Sequence, residues 1–183
     1  YQVTHDALTD LPNRAQALDL IAGALHRAQR SGAIVGVLFV DLDEFKLVND
    51  NFGHSMGDHV LRVVSRRMKD LVRTGDVVAR LGGDEFVVLL EPVAAQEAAV
   101  EVARRLVEVI SAPVITVGGR DVAVGASVGV ALALDGGTDA ELLLVQADAA
   151  VYRAKASGRG QVDVFDEALR HEMLERANFE AAF

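Results

Sequence analysis

The chain has 183 residues, a size that suits one domain with room for a short extra element, and 51% of it is apolar, enough for a sizeable core. It has no cysteine, which excludes a disulfide framework, a thiolate metal site and a cysteine nucleophile, and which fits a reducing compartment. A net charge of −9 argues against non-specific binding to nucleic acid, but leaves room for a nucleotide held through metal ions. No apolar run reaches the length of a membrane span. The opening "YQVTHDALTD" lacks the basic and apolar regions of a signal peptide, and there is no initiating Met. The expectation is a piece of a longer protein.

In chain order, "TDLPNRAQALDLIAGALHRAQRSG" predicts a helix. Asp10 or Asn13 caps it, Leu18, Ile21, Ala22 and Leu25 line one face, and Ser31-Gly32 stop it. "AIVGVLFVDLD" is an apolar, β-branched run that suits a buried strand, and it ends in two acids, Asp41 and Asp43. "EFKLVNDNFG" reads as a short helical turn and loop. "SMGDHVLRVVSRRMKDLV" places Val60, Leu61, Val64 and Met68 at helical spacing. "DVVARLGGDEFVVLLE" gives two strand-like runs around Gly82-Gly83, a hairpin signal because glycine accepts the positive φ of a tight turn. "AAQEAAVEVARRLVEVISAP" is an amphipathic helix, and "VITVGGRDVAVGASVGVALAL" reads as one more hairpin, turning at Gly118-Gly119. "DAELLLVQADAAVYRAKASGRG" is a long helix stopped by Gly158. "QVDVF" is a short last strand, and "DEALRHEMLERANFEAAF" is a charged helical tail. Helices mixed with hairpins suggest an α+β fold with a partly antiparallel sheet.

The acids at the strand ends carry the chemistry. If the 34–40 strand pairs beside the first hairpin, Asp41 and Asp84 meet at one edge of the sheet. Clustered carboxylates repel each other unless a cation or a proton intervenes. Oxygen-only ligands facing solvent suit Mg²⁺, which commonly carries a triphosphate. The residues alone therefore point to a metal-dependent phosphoryl or nucleotidyl site. Taken singly, the motif also reads as a hairpin turn of solvated acids. A second acid at a strand end shifts the balance toward a site.

"GGDEF" at 82–86 resembles the name-giving motif of the GGDEF family, the diguanylate cyclases. "DALTDLPNR" at 6–14, "VDLDEFKLVNDNFGHSMGDHVL" at 40–61 and "ADAAVYRAKASGRG" at 147–160 resemble further motifs of that family, in its order. The resemblance implies a ferredoxin-like palm, a two-layer α/β sandwich with a central, mainly antiparallel sheet flanked by helices. It implies a domain over 1–165 and a connecting helix over 166–183. Asp41 and Asp84, joined by the Leu42 carbonyl, would bind Mg²⁺ or Mn²⁺. Asp84 would act as base on the 3′-hydroxyl of GTP, with Glu85 supporting the site. Asn49 and Asp58 would read guanine, and His54 would lie near the ribose or base. Lys155 and Arg159, four apart on one helix, would hold the β- and γ-phosphates, and backbone N–H groups of a loop at Phe45 and Lys46 would touch them. Asn49 and Asp58 also read as turn and cap residues, and the two basic residues as a solvated helix end. Asp43 reads as structural or as a support behind the metal ligands.

The reaction implied joins two GTP into cyclic di-GMP and releases two pyrophosphates, with two copies of the domain face to face. "RTGD" at 73–76 matches the family's RxxD inhibitory site, where Arg73 and Asp76, with Arg104 or Arg105, would bind product. The alternative is a catalytically weak domain that binds GTP or cyclic di-GMP and controls an adjoining EAL phosphodiesterase, since the tail resembles the helix leading into one. Sensory and EAL domains in the same chain are the expected neighbours. The cytoplasmic face is the expected location, with membrane anchoring of the parent left open.

Overall fold

A computed structural model describes residues 3–134 and 136–182. Helix α1 (Arg14–Ser31) starts at Asn13, whose Oδ1 accepts the Gln16 N–H at 3.1 Å, and closes at Gly32 with φ 73°. Of the two caps that the sequence offered, Asn13 is therefore the one used. Strand β1 (Ile34–Asp43) follows. Its residues from Val35 to Val40 are all buried, so both of its faces are covered. Helices α2 (Phe45–Phe52) and α3 (His54–Leu71) meet at Gly53 and cross to the hairpin of β2 (Val77–Gly82) and β3 (Glu85–Val93).

Helix α4 (Gln96–Ser111) comes next. The stretch expected to form one hairpin then divides. β4 (Ile115–Val117) and β5 (Arg120–Val122) form a separate two-stranded sheet around Gly118-Gly119. β6 (Gly125–Leu134) joins the main sheet instead, because it is apolar on both faces whereas β4 is exposed throughout. Helix α5 (Ala140–Ala156), strand β7 (Val162–Val164) and helix α6 (Glu167–Ala182) complete the chain.

The sheet order is β2-β3-β1-β6-β7. β3 is antiparallel to both β2 and β1, β6 is antiparallel to β1, and only β7 runs parallel to its neighbour. The α+β class and the mainly antiparallel sheet flanked by helices match the expectation. The layer count differs. One apolar cluster joins Leu38, Val40 and Leu42 to α3 and α4, and a second joins Val35, Val37 and Phe39 to α1 and α5. Helices thus cover both faces, giving three layers rather than two, because β1 and β6 carry apolar side chains on both sides.

Small residues let α5 sit close to the sheet. The α5-facing positions of β6 are Ser127, Gly129, Ala131 and Ala133, and α5 answers with Ala147, Ala150 and Ala154, all buried. Arg153 then ties β7 and the start of the helical tail to α5. It donates to both carboxylate oxygens of Asp163 at 2.7 and 2.8 Å, to Asp166 and to the Val164 carbonyl. In α6 the buried residue is Leu169, so the helix is anchored near its start.

Candidate active site

The register of β1 decides the site. Asp41 stands opposite Glu85 of β3 on one side and Ser127 of β6 on the other. The next residue, Leu42, donates its N–H to the Asp84 carbonyl at 3.1 Å. The two acidic strand tips are therefore joined through the backbone, as the pairing argument required. The hairpin tip is locked from outside as well. Asp6 accepts from the Thr9 N–H and hydroxyl and from Arg80 at 2.9 Å, and Arg80 also donates to the Gly83 carbonyl at 2.8 Å, directly before Asp84. The Arg80 N–H bonds the Pro12 carbonyl, so the N-terminal segment also covers the β2 edge.

Negative charge accumulates here. Burial, then the nearby Asp41, raises the pKa of Asp84 above the ordinary carboxylate value. Glu85 is raised by burial and by Asp41, Asp148 and Asp84. Asp148 of α5 is raised by loss of solvent and by Asp41. Lys155 opposes this charge, with Nζ 2.8 Å from Asp41 Oδ2, and Arg14 and Arg80 act on the same carboxylates from further off. Asp148 was not singled out from the sequence. Its position seven residues before Lys155, two turns along the same face of α5, is the signal that could have found it.

The phosphate elements expected from the resemblance lie on the same side. Phe45 and Lys46 belong to the first turn of α2 rather than to a loop, and the first N–H groups of a helix have no partner within it. A helix start of this kind suits an anion. Lys155 lies in the last turn of α5, but Arg159 is not on that helix. The helix ends at Ala156, and Arg159 follows in a turn with φ 55°. The pair is therefore not aligned by helical spacing, because Ser157-Gly158 interrupt it. Asp43 is structural, as expected: it accepts from Ser127 Oγ at 2.8 Å and from the Gly160 N–H at 2.9 Å, pinning that turn to the sheet.

Asn49 of α2 packs on Gly57 of α3, where a Cβ would run into Oδ1 and Cγ of the amide. Asp58 follows Gly57 and is exposed, and His54 is the exposed first residue of α3. The two expected guanine readers are thus on packed helices. At the RxxD stretch the two members part. The Asp76 side chain is 2% exposed and accepts from the Glu91 N–H and from Arg73, whereas the Arg73 side chain is 65% exposed. Arg104 and Arg105 lie exposed on α4, with Arg104 3.9 Å from Glu101.

A divalent cation fits these residues. Among the described residues, no three His, Asp or Glu side chains converge tightly enough to hold an ion unaided. Two carboxylates whose pairing is unfavourable without a cation suit Mg²⁺, which ordinarily takes one or two carboxylates and completes its shell with phosphate and water oxygens.

Residues 3–161 match the family described as "Diguanylate cyclase, GGDEF domain", and the chain belongs to that family. It is 42% identical over 179 residues to an uncharacterized signaling protein of Caulobacter vibrioides, covering 97% of this chain and 22% of that one. It is 41% identical over 172 residues to the bifunctional diguanylate cyclase/cyclic di-GMP phosphodiesterase MucR of Pseudomonas aeruginosa, covering 94% and 25%. The chain thus spans about a quarter of the length of these relatives. Its structure superposes on the GGDEF domain of TpbB from Pseudomonas aeruginosa with a TM-score of 0.85 at 37% identity, over 93% of this chain and 99% of that one. It superposes on the GGDEF domain of DgcB from Caulobacter crescentus, solved in complex with cyclic di-GMP, with a TM-score of 0.83 at 28% identity, over 90% and 94%.

Proposed function

We propose that this domain condenses two GTP into cyclic di-GMP, releasing two pyrophosphates, with Mg²⁺ or Mn²⁺ and two copies of the domain face to face. The observation that carries the reading is the meeting of Asp41 and Asp84 at joined strand ends, beside Lys155 and the start of α2. The 3′-hydroxyl of one GTP attacks the α-phosphorus of the other, and the bond to the β-phosphate oxygen breaks. A bound divalent ion would lower the pKa of that hydroxyl and neutralise the leaving pyrophosphate. Asp41 and Asp84 would hold that ion, with the Leu42 carbonyl beside them. Asp84 takes the hydroxyl proton and Glu85 keeps the charge of the site. Lys155 exchanges Asp41 for a phosphate once the carboxylate is engaged elsewhere. The N–H groups of Phe45 and Lys46 and the Arg159 guanidinium grip the β- and γ-phosphates. Product identification after incubation with GTP and Mg²⁺ tests the reading.

Asn49 and Asp58 select guanine, with His54 at the ribose edge. An amide gives and accepts, and a carboxylate accepts from the N1 and N2 donors. Gly57 is what lets Asn49 sit there. Gly57→Ala is expected to raise the KM for GTP about three- to tenfold, the worth of one displaced hydrogen-bonding group. Steady-state kinetics beside a thermal melt check this. An unchanged KM would show that Asn49 does not touch the base.

Cyclic di-GMP bound in the DgcB domain supports a product site here as well. Arg73 is its exposed member, with Arg105 on the neighbouring helix. Asp76 acts by holding Arg73 and the end of β3 rather than by meeting the ligand. The second reading, a regulatory domain beside an EAL phosphodiesterase, draws support from MucR, a bifunctional relative of about four times this length. The cytoplasmic face, where GTP is made, is the proposed location. Among the described residues no helix is long and apolar enough to cross a membrane.

A further inference from the structure

We infer that Glu44 is a positioning residue that holds Arg159 at rest and competes with the terminal phosphates for it, a role that rests on the GTP reading above. Among the described residues three non-glycine residues have positive φ, and two of them are Glu44 at 56° and Arg159 at 55°. Left-handed backbone is costly for side-chain-bearing residues and collects at functional sites. These two, 115 residues apart in sequence, are joined by an ion pair of 2.7 Å.

Glu44 occupies the position before α2 where a capping side chain normally turns back onto free N–H groups, and it makes no such bond. Its carboxylate reaches across to Arg159 instead. The backbone of the Arg159 turn is fixed independently. Gly158 and Gly160 flank it with φ of 126° and 60°, and the Gly160 N–H is held by Asp43 and Ser127. What remains free is the direction of the guanidinium, and Glu44 sets it.

The side chains of Arg159 and Glu44 are 51% and 57% exposed, so the pair is weak and exchangeable. A polyphosphate at the start of α2 carries more charge than one carboxylate and takes the guanidinium from it. Glu44 thus makes phosphate binding give up the resting ion pair with Arg159. It therefore weakens the grip on a triphosphate and favours release of pyrophosphate, while a nucleoside monophosphate, which does not reach Arg159, is indifferent to it.

The test uses the 183-residue chain with Mg²⁺ and 3′-deoxy-GTP, which lacks the attacking hydroxyl, and GMP as the short ligand. Calorimetry is run on wild type, Glu44→Gln, Arg159→Ala and the double variant. Glu44→Gln is expected to bind 3′-deoxy-GTP about two- to fivefold tighter, the range of an exposed ion pair, with GMP unchanged. The gain should vanish when Arg159 is already Ala. In turnover, KM for GTP should fall more than kcat changes. An equal shift for GMP, a gain that survives in Arg159→Ala, or no gain in a wild type that binds 3′-deoxy-GTP would overturn the inference alone. Failure of folded wild type to bind 3′-deoxy-GTP would overturn both this inference and the GTP reading.

Discussion

Asp84→Ala is expected to abolish cyclic di-GMP synthesis, by at least about 10³-fold, while the domain stays folded. One preorganised donor at a developing charge is worth about 10²–10³ in rate, and a carboxylate that holds the cation supports more charge than one donor does. The folded state does not depend on this side chain. Leu42 bonds to the Asp84 backbone carbonyl, and Arg80 grips Gly83, so the hairpin tip keeps its ties without the carboxylate. The pH sign supports retention of the fold. The pKa of Asp84 is raised in the folded protein, by burial and by Asp41. A raised carboxylate stabilises the fold below its unfolded value, and that contribution is lost as pH rises through the folded value. At neutral pH without divalent ions its charge is a burden, so the variant's Tm should equal or exceed that of wild type. Product chromatography and a melt in chelator check both halves. Synthesis that persists would remove Asp84 from the mechanism, and a collapsed Tm would make it structural.

Gly129→Ala is expected to cost about 3 kcal/mol, the upper end of overpacking penalties. A Cβ there would strike the Ala147 carbonyl and the Val151 N–H of α5 and come within 2.9 Å of the Ala150 Cβ. The first two are backbone atoms of a helix and cannot swing aside. For a domain of this size the loss corresponds to a fall in Tm of about 6–12 °C. Activity should fall as well, because the displaced helix carries Lys155 and Asp148. Gly75→Ala is the control, since its Cβ would meet one backbone oxygen at 3.6 Å, an ordinary contact. Chemical denaturation decides the matter. A Gly129→Ala protein as stable as wild type would show that α5 is free to shift, and that the small-residue seam does not set the position of Lys155.

Much of this was legible in the sequence, for physical reasons that differ by element. The helices announced themselves through spacing and stops, as Asn13 and Gly32 did around α1. The strand-end acids were legible because a carboxylate ending a buried apolar run is conspicuous. The division of 114–134 was not, because a Gly-Gly turn reports a hairpin but not which strand continues into the main sheet. That depends on burial of β6 on both faces, a tertiary fact. Arg159 looked helical by its spacing of four from Lys155, although the stop read at Gly158 already placed it beyond the helix end. Asp148 was hidden by its neighbours, alanines on either side in an ordinary amphipathic stretch. Gly57 gave no signal, since its value lies in what Asn49 places against it. Asp76 read as a ligand contact, and its spacing gave no sign that its carboxylate also accepts from the Glu91 N–H and Arg73.

Catalysis as proposed depends on a divalent ion seated between the side chains at 41 and 84. Crystals grown with Mn²⁺ and 3′-deoxy-GTP, measured at the manganese edge, test this directly. The expected result is an anomalous peak within coordination distance of both the Asp41 and Asp84 carboxylates and of the phosphates. Bound nucleotide with the peak elsewhere, or with Asp41 still paired to Lys155 and no ion beside it, would contradict it.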